Sequence, residues 1–225
     1  MRNNEPEIYE KCSHILLPKD YIRYMLTGEF ATEVSDASGM QLLDIPKRNW
    51  SSEVLSKLSI DKSLLGKVYE SPEITGQISA KAAFITGLKE GTPVVGGAGD
   101  NAAAAVGTGV VTDGSAFTTI GTSGVVFAHT SKLSIDMAGR VHTICCAVPD
   151  AWHVMGVTQA AGLSRQWFVD NFCEIDKEKA KQEKISVYDL IDEYAKASPV
   201  GSNRLIYLPY LMGERTPHLD ANARG

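Results

Sequence analysis

This 225-residue sequence predicts an α/β fold with antiparallel hairpins in its second half, on two observations. Short apolar runs rich in β-branched residues alternate with stretches whose apolar positions recur at helical spacing. At Gly91 the composition changes: nine glycines fall between Gly91 and Gly124, among small alanines, whereas the preceding stretch is bulkier and more charged. Backbone must approach something closely in such a segment. Hydrophobic residues at 44% and charged residues at 22% exclude a disordered or fibrous chain.

Taken in order, the first ninety residues read as helix mixed with irregular structure. Lys19–Thr27 carries Tyr21, Ile22, Tyr24, Met25 and Leu26 and stops at Gly28, which predicts a short amphipathic helix. Thr32–Asp44, small and polar before an apolar end, reads as a loop leading into a strand. Ser51 caps a helix over Ser52–Leu58. Pro93–Val95 reads as a buried strand, Gly96–Gly99 as a turn, and Asp100–Val106 as a helix capped by Asp100. Ser115–Ile120 and Gly124–Ala128 read as strands joined by the tight turn Gly121-Thr122-Ser123. Strands are expected at Val141–Val148 and Trp152–Gly156, helices at Ala160–Val169 and Val187–Ala197, and a last strand at Arg204–Leu208. There is no internal repeat and no low-complexity tract.

Charge and cysteines narrow the classes of function. With 22 Lys+Arg against 27 Asp+Glu the formal charge is −5, and no basic stripe stands out, so neither nucleic acid nor a membrane is expected as a partner. No apolar run approaches the roughly 20 residues of a membrane span, and the first seven residues lack the apolar core of a signal peptide. A cytoplasmic location is expected. Cys12, Cys145, Cys146 and Cys173 form no CxxC pair and read as reduced packing residues. Neighbours on a strand face opposite ways, so Cys145 and Cys146 are not expected to share a metal. His129, His142 and His153 also lack ligand spacing, and no metal ligand is assigned. Trp152, Trp167 and Phe168 are expected in the core.

Two segments carry chemistry. A strand, a glycine-rich turn and an Asp at the head of an alanine helix hold Asp100 firmly yet within reach, where a carboxylate can accept a proton from a substrate hydroxyl. The same position also suits a plain helix cap. The turn Thr119-Ile120-Gly121-Thr122-Ser123-Gly124 exposes N–H and O–H donors of the kind that bind a phosphate chain, although hydroxyl-rich turns are common and this one is not a GxxxxGK[ST] loop. Glu214, Arg215, His218 and Asp220 form a charged loop that suits a structural or a catalytic role equally. Arg165 can meet either a phosphate or a surface carboxylate.

Three stretches in order, Val94-Val95-Gly96-Gly97-Ala98-Gly99-Asp100-Asn101-Ala102-Ala103, Gly121-Thr122-Ser123-Gly124-Val125 and Leu211-Met212-Gly213-Glu214-Arg215-Thr216-Pro217-His218-Leu219-Asp220, resemble the FGGY-family carbohydrate kinases, and within them the xylulokinases. Asp36-Ala37-Ser38-Gly39 followed by Leu43-Asp44 adds to the likeness. The resemblance implies an actin-like ATPase (ribonuclease H-like) fold, with parts of two domains and the active-site cleft between them: residues 1–98 from the first domain and 99–225 from the second. It implies ATP-dependent phosphorylation of a ketopentose, D-xylulose to D-xylulose 5-phosphate. Asp100 would be the catalytic base and, with Asn101, bind the sugar; Gly121, Thr122 and Ser123 would hold the ATP phosphates, and Mg²⁺ would bridge those phosphates largely through water. Another sugar or polyol kinase of the family, or a non-catalytic remnant, are the alternatives. A homodimer is an open option, since the sequence does not report assembly. The family's acidic Gly/Thr phosphate loop, its Met-His sugar pair and its glycine-rich adenosine motif are not in these residues, so a central fragment, inactive by itself, is expected.

Overall fold

The computed structural model describes residues 2–225 as two compact units. The first comprises the chain up to Phe117 with Phe127–Ile135 and His142–Met155; the second comprises Thr118–Val126, Asp136–Val141 and Gly156–Gly225. The elements run α1 (Pro6–Tyr9), α2 (Pro18–Thr27), β1 (Ala31–Glu33), α3 (Val34–Ala37), β2 (Leu43–Asp44), β3 (Asn49–Trp50), α4 (Ser52–Leu58), β4 (Lys67–Tyr69), β5 (Ile74–Gln77), α5 (Ala80–Thr86) and β6 (Pro93–Val95). They continue with α6 (Asp100–Gly107), β7 (Ala116–Ile120), β8 (Gly124–Thr130), β9 (His142–Cys145), β10 (Trp152–Thr158), α7 (Gly162–Phe172), α8 (Glu174–Glu183) and α9 (Val187–Ala197).

The helix signals in the first unit act as expected. Pro18 opens α2, and Gly28 closes it with φ +82°, a left-handed angle that suits glycine. The Ser51 side chain accepts the Val54 N–H at the head of α4. Three two-stranded pairings follow: β1 parallel to β4, and β2 with β3 and β5 with β6 antiparallel. One core joins Val34, Ala37, Leu43, Trp50, Leu55 and Cys145; a second joins Ala105, Val110, Phe127, Cys146 and Ala151. The adjacent cysteines thus enter different clusters, as the alternation along a strand requires. All four cysteines are free.

Several elements differ from the sequence reading. Val34–Ala37, expected as loop, is a helical turn because the buried Glu33 carboxylate caps it, accepting the N–H groups of Ser35 and Asp36. Pro93–Val95 is a strand but not a buried one; it pairs on one side with β5, and Val95 is 46% exposed. Asp100 is the first helical residue of α6 rather than its cap, because Gly99 holds the extended cap conformation at φ −60°, ψ 155°. The expected strand over Val141–Val148 narrows to β9, which pairs with β10 in antiparallel register.

A four-stranded sheet has the order β7-β8-β10-β9. In the second unit α7 starts two residues later than expected and runs on to Phe172. The sequence reading missed α8 altogether. Its ten residues bury only Ala180, so no apolar periodicity marks it. Arg204–Leu208 is no strand: Ser202–Arg204 is a 3₁₀ turn, and Leu205 and Ile206 are each 80% exposed with no strand beside them among the described residues. Trp167 and Phe168 are also on the surface rather than in the core, at 36% and 45% exposure, each packing against Phe172 on the same helix. Trp152 is half-buried against the first unit's Trp50-containing core. Among the described residues no helix is long and apolar enough to cross a membrane.

Candidate functional site

The Gly96–Gly99 turn determines where Asp100 stands, and the first unit grips this turn at several points. The Gly96 N–H donates to Glu73 O (2.9 Å) and the Gly97 N–H to Ser71 O (3.1 Å). The Gly96 carbonyl accepts from Arg23 Nη1 (2.7 Å) and Lys19 Nζ (3.3 Å). A side chain at Gly96 would be crowded: a Cβ there would lie 3.0 Å from Glu33 Cβ and from the Glu70 carbonyl. Beneath the turn lie Asp20, Arg23 and Glu33, all buried. Arg23 pairs with Asp20 at 2.8 Å, and Lys19 Nζ lies 3.0 Å from Asp20, 3.4 Å from Glu33 and 3.7 Å from Asp36.

Asp100 is exposed at the rim of a cavity of ≈ 150 Å³ that Ser35, Asp36, Asn101, His153 and Met155 also line. Its Oδ1 accepts the Asn101 backbone N–H (2.7 Å) and the Asn101 side-chain amide (3.0 Å). Its Oδ2 has no hydrogen-bond partner among the described residues and is free to accept a proton. The structure therefore brings Asp100 and Asn101 together, with the amide steadying one carboxylate oxygen. Asp36 was quoted in the sequence only as a mark of likeness, yet it faces the same cavity. Burial lifts its carboxyl above the ordinary value, against the opposing pull of Lys19. Its neighbour Ser35 also went unassigned, and no sequence signal separates that serine from other loop serines.

The second unit holds the Gly121-Thr122-Ser123 loop. The Gly121 N–H is turned inward onto Ser123 O (2.9 Å), and the loop's carbonyls are taken up by the start of α7. Gly162 N donates to Gly121 O (2.8 Å), while Ala161 N and Leu163 N donate to Thr122 O (2.9 and 3.2 Å). The N–H groups of Thr122 and Ser123 have no partner among the described residues, and Gly121 and Thr122 are exposed. Close packing on Gly121 O leaves no room for a Cβ at Gly162. The start of α7 is taken up by the loop's own carbonyls, and what the loop leaves for an anion is the free N–H groups of Thr122 and Ser123. A larger cavity of ≈ 450 Å³ in this unit is lined by Ile120, Val125, Val157, Pro217 and Arg140 among others but by no carboxylate, so it offers no base.

In the charged loop after Pro209, one carboxylate is built into the second unit. Glu214 is buried and accepts from Thr158 Oγ1 (2.6 Å), Gln159 N (3.0 Å) and Arg215 N (2.7 Å). Burial works to raise its carboxyl, but these donors outweigh it and hold the group below the ordinary value. Arg165 meets a surface carboxylate, Asp192, at 2.5 Å. Among the described residues no group of three His, Cys, Asp or Glu side chains is placed to hold a metal ion.

The N-terminal domain profile of the FGGY family of carbohydrate kinases matches residues 1–107, and the family's C-terminal domain profile matches residues 116–225. The chain belongs to the FGGY family of carbohydrate kinases. Its fold is accordingly the actin-like ATPase fold of the FGGY sugar kinases, represented by parts of two domains. It is 37% identical to the xylulose kinase of Bacillus subtilis over 225 residues, covering 100% of this chain and 43% of that one. The crystal structure of a "xyloylose kinase" from Brucella ovis matches with TM-score 0.86 at 36% identity, over 99% of this chain and 44% of the other. A gluconate kinase from Lactobacillus acidophilus matches as closely in fold, with TM-score 0.86 at 26% identity over 99% of this chain and 43% of the other. The chain spans less than half the length of these FGGY relatives.

Proposed function

We propose that the chain is the central part of an ATP-dependent ketose kinase that phosphorylates D-xylulose, with residues 1–98 belonging to the first domain and 99–225 to the second. The observation that carries this reading is the free Oδ2 of Asp100 at a cavity rim, in a chain whose family phosphorylates carbohydrates. Asp100 accepts the proton of the terminal hydroxyl as its oxygen attacks the γ-phosphorus of ATP; the bond from that phosphorus to the ADP oxygen breaks, leaving sugar phosphate and ADP. Asn101 fixes Asp100 through Oδ1 and turns the rest of its side chain to the sugar. Gly121, Thr122 and Ser123 hold the β- and γ-phosphates, with the free N–H groups of Thr122 and Ser123 as donors and Gly121 giving the close turn.

When bound, Mg²⁺ offsets the phosphate charge and polarises the transferred group. The Gly121–Ser123 loop, exposed at Gly121 and Thr122, offers hydroxyls and free N–H groups and fits an ion carried by phosphates and water. A cytoplasmic location follows from the same reading, as sugar phosphates are made where ATP is.

The test is a chimera in which this chain replaces the matched segment of the Bacillus subtilis xylulose kinase. ATP-dependent phosphorylation of D-xylulose supports the reading. The gluconate kinase likeness favours a second one, and a chimera that prefers gluconate, L-ribulose or glycerol overturns the choice of sugar. The 225-residue chain alone is expected to show no turnover, because it covers only 43% of that relative.

A further inference from the structure

The Gly99 N–H, immediately before Asp100, donates to Ser35 Oγ at 3.0 Å. The Ser35 hydroxyl in turn donates to Glu33 Oε1 at 3.0 Å. Glu33 is fully buried, and its carboxylate also accepts from Ser35 N (2.8 Å), Asp36 N (2.9 Å) and Ser71 Oγ (2.8 Å), with Lys19 Nζ 3.4 Å away. These partners satisfy the buried carboxylate, and three of them also reach the turn before Asp100: Lys19 at the Gly96 carbonyl, Ser71 at the Gly97 N–H, and Ser35 at the Gly99 N–H.

The direction of the chain matters. A hydroxyl donating to a carboxylate becomes a better acceptor on its own oxygen, so the Glu33 charge strengthens the Ser35–Gly99 bond. That bond holds the N-cap residue of α6, and the N-cap sets the direction in which the first helical side chain, Asp100, leaves the backbone. The other bonds of the turn fasten Gly96 and Gly97, two and more residues upstream. Next to Asp100, Gly99 is held at both ends: its carbonyl accepts the Ala103 N–H (2.8 Å) within α6, and its N–H is the one tied by a side chain, Ser35. A loosened Gly99 would let Oδ2 drift from the reacting hydroxyl while leaving the cores untouched.

We infer that Ser35, polarised by Glu33, is a positioning residue that fixes Asp100 through the Gly99 N–H for proton acceptance. This rests on the reading of Asp100 as base. Binding groups for sugar or nucleotide are not part of the chain of bonds, so its loss lowers turnover and leaves affinity in place.

Ser35→Ala, Ser35→Thr and Asp100→Asn variants of the chimera test it, with hydrogen exchange of the Gly99 amide as a second readout. Ser35→Ala is expected to lower kcat by between about tenfold and a hundredfold, with KM for sugar and for ATP within twofold and faster exchange at Gly99. Ser35→Thr, which keeps the hydroxyl, is expected to regain most of that loss. An unchanged kcat in Ser35→Ala, or a KM that rises in step with the fall, overturns the inference. If Asp100→Asn stays active, the base reading itself has failed; if Asp100→Asn is inactive and Ser35→Ala is not impaired, only the positioning role has.

Discussion

His153 shows how much one side chain can decide. It is buried, stacks on Phe127 with ring centroids 4.0 Å apart, and sets Nδ1 3.7 Å from Cys146 Sγ. Burial first, and the charge of nearby His129 second, lower its pKa from 6.5 to about 4. Cys146 is pushed up to about 12 by burial and stays a neutral thiol throughout. The unfolded chain therefore takes up a proton at His153 near pH 6.5 while the folded chain refuses it until about pH 4. Stability is full above the unfolded value and falls as pH drops through that window, by about 3 kcal/mol in total. Urea melts at pH 7 and at pH 5 check this, since most carboxylates are still ionised at the lower value. His153→Gln is expected to lose about 2 kcal/mol less between the two pH values than the native chain does. An equal loss in both would place the pH sensitivity elsewhere.

At the scale of elements, the Gly121–Ser123 loop and the start of α7 are packed as one piece. The start of α7 can press against Gly121 and Thr122 only because Gly162 carries no side chain. Gly162→Ala forces the loop and helix apart and is expected to cost about 1–3 kcal/mol of stability, with a rise in KM for ATP in the chimera larger than any rise in KM for the sugar. A thermal melt and a two-substrate titration measure both. The legibility of elements follows from the same local physics. α2 and α4 were readable because Gly28 and Ser51 mark their ends, and α9 because its apolar residues recur at helical spacing. α3 was not, since Ser35 and Asp36 favour loops until a buried carboxylate at Glu33 caps them, and that carboxylate's burial is a tertiary fact. α8 was missed because charged residues surround it. Leu205-Ile206-Tyr207-Leu208 looked like a strand because apolar runs do, yet a strand needs a neighbour to hydrogen-bond.

For the whole molecule, the three motif stretches made the family legible from sequence, and both domain profiles agree with them. Glycines and hydroxyls single out Asp100 and the Gly121–Ser123 loop as candidates in the sequence. The support under Asp100 was not legible, because Lys19, Arg23, Glu33 and Ser35 come from 60 or more residues upstream and converge on Gly96–Gly99 only after folding. The apolar surface is extensive: Phe84, Ile120, Met137, Leu205 and Ile206 are each at least 77% exposed. The most direct measurement of the central claim is the initial rate of D-xylulose phosphorylation by the chimera with and without Asp100→Asn. With Asp100 as the base, kcat falls by about 10²–10⁴ while the melting temperature barely moves; an Asp100→Asn protein that turns over at the native rate shows that the base is another group.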